Sequence, residues 1–123
     1  MSHLTTVQTQ IKDMCVLDSV LKSSFSCKSS GSKVVHGYHQ QKTAVDIAWE
    51  IGGKNYDIGA VKQSDGTYTL VADWMMAGIN QQEILQQYSI KNALRRAKLL
   101  GHQVVKQESQ SDGSIRLVIK TKT

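Results

Sequence analysis

The hydrophobic residues of the chain recur at two spacings, which predict helices in some stretches and strands in others. In the longest periodic stretch, residues 80–101, apolar positions lie three and four residues apart, as in an α-helix. Asn80 is a helix-capping residue type, Glu83 follows three positions later as in a capping box, and Gly101 suits a left-handed helix end. The pattern therefore predicts one major helix at 80–101.

This predicted helix carries two apolar sets on nearly opposite faces, at about 100° per residue. The first set is Ile84, Leu85 and Tyr88, and the second is Ile90, Ala93, Leu94, Ala97 and Leu100. We favour a break near Ser89, with Ser89 capping the second part. The alternative is an unbroken helix whose first set packs on another surface, which implies an apolar patch and self-association through Ile84, Leu85 and Tyr88.

A shorter helix is predicted after Asp13, which is a suitable N-cap. Its apolar residues fall on one face: Met14, Leu17, Val20, Leu21 and Phe25. The next segment, 23–33, is rich in serine and contains Gly31 and two lysines, with little to bury. We expect a mobile Ser/Lys-rich loop there.

The remaining segments alternate apolar and polar residues with period two, as strands do. They are 4–11, 33–38, 44–51, 56–63, 67–73, 103–108 and 114–120. Gly52-Gly53, Asp65-Gly66 and Asp112-Gly113 are typical of tight hairpin turns. The predicted order is β-α-β-β-β-β-α-β-β. It indicates one α+β domain over residues 1–123, an antiparallel sheet of about six to seven strands with both helices on one face.

Several short strings occur together in this chain. They are Met1-Ser2-His3-Leu4-Thr5, Tyr56-Asp57-Ile58-Gly59, Leu70-Val71-Ala72-Asp73-Trp74 and Asp112-Gly113-Ser114-Ile115-Arg116-Leu117. In this order and at this length the chain resembles the hypothetical plastid reading frame thirty-five family of cyanobacteria, algal plastids and some cyanophages. Two positions depart from that resemblance, because Ala60 and Met75 stand where aromatic residues are expected. The resemblance implies an uncharacterised protein of cyanobacterial type, and it carries over no catalytic residue.

The net charge of +5 is unevenly distributed along the sequence. Two windows without acidic residues, 19–45 and 84–107, hold four and five of the 15 basic residues. Within the major helix, one narrow arc carries Lys91, Arg95 and Lys98 and continues to His102. We call these four residues the basic stripe. It could bind phosphates, an acidic protein or an anionic membrane surface, or it could only complement the negative end of the helix dipole.

Residue types that support catalysis or metal binding are present but not in diagnostic patterns. His36 and His39, with Cys27 upstream and His3 or Cys15 elsewhere, form one irregular group, whereas structural zinc sites usually show two close ligand pairs. Cys15 has no predicted base beside it. Nothing in the sequence fixes the separation of three acids that could pair for acid–base work: Glu50, Asp57 and Asp73. We therefore assign no catalytic, metal or cofactor-binding residue.

No apolar run approaches the roughly 20 residues of a membrane-spanning helix, and the N-terminus lacks the basic and apolar regions of a signal peptide. The sequence predicts no membrane insertion and a cytoplasmic location, which the resemblance narrows to the plastid stroma or a phage-infected cyanobacterial cell. Two cysteines do not form a disulfide framework.

Three functions are consistent with these observations. The first is a small non-enzymatic binding or adaptor protein that acts through a protein partner. The second is a nucleic-acid-binding protein that uses the basic stripe, for which affinity should fall steeply with salt. The third is a small-molecule binder or enzyme, which needs a cavity near Trp49, Tyr56 and Trp74.

Overall fold

A five-stranded antiparallel sheet with strand order β1-β7-β6-β5-β2 forms the centre of the protein. The computed structural model describes residues 4–101, 103–109 and 115–120. The strands are β1 (Thr5–Gln8), β2 (Cys27–Ser29), β3 (Val34–His36), β4 (Lys42–Ala44), β5 (Ile47–Ile51), β6 (Asp57–Lys62), β7 (Tyr68–Ala72), β8 (Gln103–Ser109) and β9 (Ile115–Lys120). The α-helices are α1 (Met14–Ser24), α2 (Trp74–Ala77) and α3 (Gln81–Leu99). This architecture confirms the α+β prediction.

Helices α1 and α3 cover one face of the sheet. Alternate residues of the central strands point to this face, and Trp49, Ile58 and Leu70 are each at most 1% exposed. The helices contribute buried side chains to the same core, namely Val16, Leu17, Val20, Leu21, Ile84 and Tyr88. Burial of this contiguous apolar surface is the main force that holds the helices to the sheet.

The opposite face of the sheet is covered by the β3–β4 hairpin, which forms a second, smaller core. Its members are Val35, Val45, Ala48 and Val71. Gly59 of β6 lies beneath this hairpin, and a Cβ placed there would collide with the side chains of Val35 and Val45. Glycine is therefore required at position 59 because the hairpin approaches the backbone of β6 closely.

Helix α1 begins where the sequence predicts. Asp13 Oδ1 accepts hydrogen bonds from the backbone N–H groups of Cys15 and Val16, at 3.0 and 3.2 Å, as an N-cap should. The next segment differs from the predicted loop at 23–33, because α1 continues to Ser24 and residues 27–29 form β2, which pairs with β5. A three-residue edge strand is stabilised by its distant partner, and such pairing leaves no periodic signal in its own sequence.

Helix α3 is unbroken from Gln81 to Leu99, so the predicted break near Ser89 is wrong. Its two apolar faces have different partners. Ile84 and Tyr88 are buried in the core beside α1, whereas Ile90 and Ala97 are buried outside both core clusters, and α3 also contacts β8 and β9. The expected self-association patch is also wrong, because Ile84 and Tyr88 are buried within the chain and Leu85 packs against the same core.

The end of α3 agrees with the sequence. Gly101 has a φ of 75°, the left-handed conformation predicted for it. The predicted turn at Asp112-Gly113 lies outside the described residues. Within the described ranges, no helix is both long and apolar enough to cross a lipid bilayer.

Candidate functional site

The basic stripe is the site that the sequence predicts, and the structure gives one of its cations a structural contact. The Arg95 guanidinium forms an ion pair with Oδ2 of Asp13, the carboxylate that also caps α1. About two turns earlier in α3, the Tyr88 hydroxyl accepts the backbone N–H groups of Lys12 and Asp13, at 3.3 and 3.1 Å. Tyr88 and Arg95 therefore join α3 to the start of α1.

The other stripe residues are placed differently. Lys98 is exposed and Lys91 is half-buried, and neither has an ion-pair partner among the described residues. His102 lies outside the described residues. These two cations lie about two turns apart on this face, where they could meet an external anion. The use of the stripe for binding stays a prediction.

A different group of polar residues meets at one end of the sheet. Gly59 of β6 pairs with Val71 of β7, and the same register places Asp57 opposite Asp73, one residue beyond the end of β7. Both side chains are almost completely buried, with exposures of 7% for Asp57 and 0% for Asp73. Buried carboxylates require hydrogen-bond donors, and here the donors come from the end of β3, from Tyr38 just after it and from helix α2.

Asp57 holds His36 through two contacts. Its Oδ1 accepts the backbone N–H of His36 at 2.6 Å, and its Oδ2 lies 3.0 Å from Nδ1 of the imidazole. The ring is therefore oriented by a buried carboxylate while its side chain remains 44% exposed. Such an imidazole can accept or donate a proton, but no described nucleophile contacts it.

Asp73 holds two further segments. Its Oδ2 accepts the backbone N–H of Tyr38 at 3.0 Å, and its Oδ1 accepts that of Met76 at 3.3 Å, which caps α2. One carboxylate thus fixes the backbone at Tyr38 and the short helix that carries Met75. Met75 is 74% exposed and Tyr38 is 37% exposed. We call Tyr38 and Met75 the Tyr38–Met75 surface.

Cysteine chemistry is disfavoured at Cys27 in this arrangement. Its side chain is buried and burial raises the pKa of the thiol to about 11. Its Sγ donates to the carbonyl of Phe25 at 3.5 Å. Cys15 is exposed at the start of α1. No three acidic, histidine or cysteine side chains in the described part of the chain come together as a metal site.

The cavity expected near the aromatic residues is only partly present. Trp49 is 1% exposed and its indole Nε1 donates to Asp18 at 2.9 Å, so this side chain belongs to the core. The Nε1 of Trp74 is buried without a hydrogen-bond partner among the described residues. Tyr56 lines a cavity of about 580 Å³ together with His36 and Lys54.

Sequence reasoning considered Asp57, Asp73 and His36 but did not bring them together. Their proximity depends on the β6–β7 register and on a hairpin that folds over the opposite face, which are both non-local. A local signal was present, since two of the strings that carry the family resemblance contain Asp57 and Asp73. The two positions that depart from the family resemblance have different surroundings: Ala60 is fully buried, whereas Met75 is exposed.

The chain was compared with known proteins. Residues 21–118 match the model of a family described as proteins of unknown function, DUF1257. The uncharacterised protein ycf35 of Cyanophora paradoxa is 32% identical over 126 residues, covering 98% of this chain and 97% of that protein. The ycf35 protein of Pyropia yezoensis is 28% identical over 127 residues, with the same coverage of 98% and 97%.

No solved structure matches this chain significantly. The family match extends over most of the sequence and includes α3, the strands of the five-stranded sheet other than β1, and both buried aspartates. The two relatives extend the similarity to nearly the whole length. The chain belongs to the DUF1257 family of proteins of unknown function, and its similarity to the ycf35 proteins of Cyanophora paradoxa and Pyropia yezoensis confirms the resemblance found in the sequence.

Proposed function

We propose that this chain is a small non-enzymatic binding protein that acts through a protein partner and docks it at the Tyr38–Met75 surface. The observation that carries the proposal is the exposure of Met75, 74%, on a helix whose capping carboxylate is completely buried. Such a protein would act in the cytoplasm or the plastid stroma, the compartments that the resemblance implies.

The backbone around Met75 is held firmly in place. The side chain of Asp73 makes two hydrogen bonds. In addition, the backbone carbonyl of Asp73 accepts the N–H of Ala77 at 2.8 Å, and the backbone carbonyl of Trp74 accepts the N–H of Gly78 at 3.1 Å. An anchor that is already ordered loses little conformational entropy on binding. Methionine also adapts its shape to an apolar pocket, which suits a docking residue.

The polar groups near this surface support binding rather than catalysis. Asp57 and Asp73 direct their oxygens to backbone N–H groups of the protein itself. His36 uses Nδ1 for Asp57. These groups position the segment 36–38 and helix α2, and positioning an exposed apolar residue is what a docking surface requires.

The proposal is tested by site-specific photo-crosslinking in cell extract of a cyanobacterium or red alga. A photoreactive residue replaces Met75 in one sample. In the control sample it replaces Lys62, which is also exposed but lies at the other end of β6. We expect a discrete protein adduct from position 75 and none from position 62. Equal adducts from both positions, or none from position 75, would contradict the proposal.

A pair of substitutions then separates docking from folding. Met75→Glu should abolish the adduct-forming interaction, because it places a charge in the apolar contact, whereas Met75→Leu should retain it. Both variants should keep the wild-type free energy of unfolding, because position 75 is exposed and surface changes usually alter stability by less than about 0.5 kcal/mol. Loss of capture in both variants alike would argue against an apolar anchor.

Nucleic-acid binding through the basic stripe remains the alternative, and the ammonium groups of Lys91 and Lys98, which have no ion-pair partner among the described residues, favour it. Because Arg95 also stabilises the contact with α1, the informative variant is Lys91→Gln/Lys98→Gln with Arg95 intact. Oligonucleotide binding that survives physiological salt and weakens in this variant would favour the alternative. Binding that is equal in both proteins would leave the stripe as helix stabilisation.

A further inference from the structure

A cavity of about 720 Å³ lies away from the Tyr38–Met75 surface and has no part in the proposed docking. Three segments enclose it: residues 9–11 after β1, the β6–β7 turn with its flanking residues 63–69, and the face of α3 formed by Leu85, Tyr88 and Ser89. Its volume is within the range of about 300–1,000 Å³ typical of small-molecule sites. Its lining therefore indicates which ligand it suits.

Three side-chain hydrogen-bond donors of the lining are already used by the protein. The Thr67 hydroxyl donates to Asp65 Oδ1 at 2.6 Å, and the Thr9 hydroxyl donates to the Tyr68 carbonyl. The Gln63 Nε2 amide donates to the Val61 carbonyl and to Thr69 Oγ1, at 3.2 and 3.1 Å. Other lining residues keep donors that have no acceptor among the described residues, namely the hydroxyls of Ser64, Tyr88 and Ser89 and the side-chain amide of Gln10.

Acceptor capacity remains on the same wall. Among the described residues, Oδ2 of Asp65 and Oε1 of Gln63 have no hydrogen-bond donor, and the Thr67 hydroxyl keeps an unused lone pair. The lining therefore offers both donors and acceptors, and Asp65 Oδ2 is the acceptor that carries charge and can receive a donor from a ligand.

The charge of the lining points to the same class of ligand. Asp65 is the one carboxylate among the described lining residues, which include no lysine or arginine. Hydrogen bonds from the Thr67 hydroxyl and N–H lower the pKa of Asp65, against a small effect of burial, and the nearby charge of Lys12 lowers it further. Asp65 is therefore anionic at neutral pH. Apolar contact is offered chiefly by the half-buried Leu85, and by the small exposed parts of Ile11 and Tyr88.

We propose that this cavity binds a small organic ammonium ion with an apolar body. The ammonium group donates hydrogen bonds to Asp65 Oδ2 and Gln63 Oε1, and the hydrocarbon part packs on Ile11, Leu85 and Tyr88. A carboxylate or phosphate ligand is disfavoured because it would meet like charge and more acceptors. A neutral alcohol can donate one hydrogen bond but gains no attraction from the Asp65 charge.

The test uses three probes of one shape: phenethylammonium, phenethyl alcohol and 3-phenylpropionate. Chemical-shift titration of the full-length protein should show saturable binding of phenethylammonium, with shifts confined to residues around the cavity. The alcohol should bind more weakly, and the carboxylate should not bind. Equal binding of all three probes, or no saturable binding of the ammonium probe, would overturn the proposal.

Substitutions assign the binding to Asp65. Asp65→Asn should weaken phenethylammonium binding at least about tenfold, the usual effect of losing a hydrogen bond to a charged group. The matched control Glu83→Gln removes the same charge from an exposed position of α3 outside the cavity and should leave affinity unchanged. Lys12→Gln should raise affinity, because it removes a competing cation near Asp65. Equal losses in Asp65→Asn and Glu83→Gln would show only a general charge effect and overturn the assignment.

Discussion

At the residue scale, the two tryptophans place the same indole N–H group in different surroundings. Trp49 is in the main core and donates to Asp18 at 2.9 Å. The Nε1 of Trp74 is buried with no hydrogen-bond partner among the described residues. A buried donor without an acceptor costs about 1–3 kcal/mol. The two side chains should therefore respond differently to the same substitution.

We expect Trp49→Phe to lower the free energy of unfolding by about 2 kcal/mol more than Trp74→Phe does. Both substitutions remove similar volume, but the first also breaks a hydrogen bond to a carboxylate and the second removes an unsatisfied donor. Chemical denaturation of the two variants measures this difference. Equal losses would mean that the Trp74 indole finds a hydrogen-bond partner in solution.

Asp18, the partner of Trp49, makes the stability depend on pH. Burial raises the pKa of Asp18, but hydrogen bonds from Trp49 and Lys22 and the charge of Lys22 lower it, so that it lies below the ordinary value of 3.8. A carboxyl group with a lowered pKa in the folded state stabilises the protein above its unfolded-state pKa. This contribution is lost as the pH falls through the folded-state pKa.

The wild type should therefore lose its stability advantage over Asp18→Asn as the pH falls from about 5 to below the ordinary value of 3.8. Denaturation midpoints measured for both proteins across this range test the prediction. Asp46→Asn is the control, because it makes the same change at a different carboxylate, one that is exposed and accepts the backbone N–H of Lys62. A constant difference between wild type and Asp18→Asn at every pH would contradict the expected linkage.

At the scale of elements, α3 shows what an amphipathic pattern can and cannot predict. Its bounds follow from local signals, Asn80 at the start and Gly101 after the end, and both are confirmed. Its continuity is not local. A helix sequence with two apolar faces is compatible with a break in the helix or with two packing partners. Only the tertiary contacts of α3, which include α1, β8 and β9, decide between these structures.

Ser89 distinguishes these two structures experimentally. In an unbroken helix Ser89 is an exposed interior residue, and Ser89→Ala should stabilise the protein by up to about 0.5 kcal/mol through helix propensity. As the cap of a second helix, the same change would cost about 1 kcal/mol. Asn80→Ala is the control, since Asn80 does cap α3 and its loss should destabilise by about that amount.

The strands show the same division between local and non-local information. The sequence predicts β5, β6 and β7 because period-two alternation and the Gly52-Gly53 and Asp65-Gly66 turns are local features. Strand β2 and helix α2 were missed, because one depends on pairing with β5 and the other on capping by Asp73. The local signals, alternation and turns, did not predict the candidate site either. Asp57, Asp73 and His36 meet only after the hairpin β3–β4 folds over the sheet.

At the scale of the whole molecule, the described residues form two cores that share one sheet, with α3 extending beyond them. Ile84 and Tyr88 of α3 complete the core on the helical face, and α3 also contacts β8 and β9. Strands β8 and β9 pair with each other in a separate two-stranded sheet. The C-terminal hairpin therefore depends on α3 for much of its packing, whereas the five-stranded sheet draws its core from α1, α3 and β3–β4.

This arrangement predicts that a variant ending at Gly101 keeps the five-stranded sheet and loses only the cover of Ile90 and Ala97. Exposure of such a side chain costs about 1–3 kcal/mol, so the variant should unfold at lower denaturant concentration but still in one cooperative transition. The near-UV circular dichroism of the buried Trp49 should be retained, and binding of a hydrophobic dye should increase. If the truncated chain instead lost its near-UV signal and its cooperative transition, the hairpin would have to belong to the same folding unit as the sheet, and α3 would transmit its stability to both.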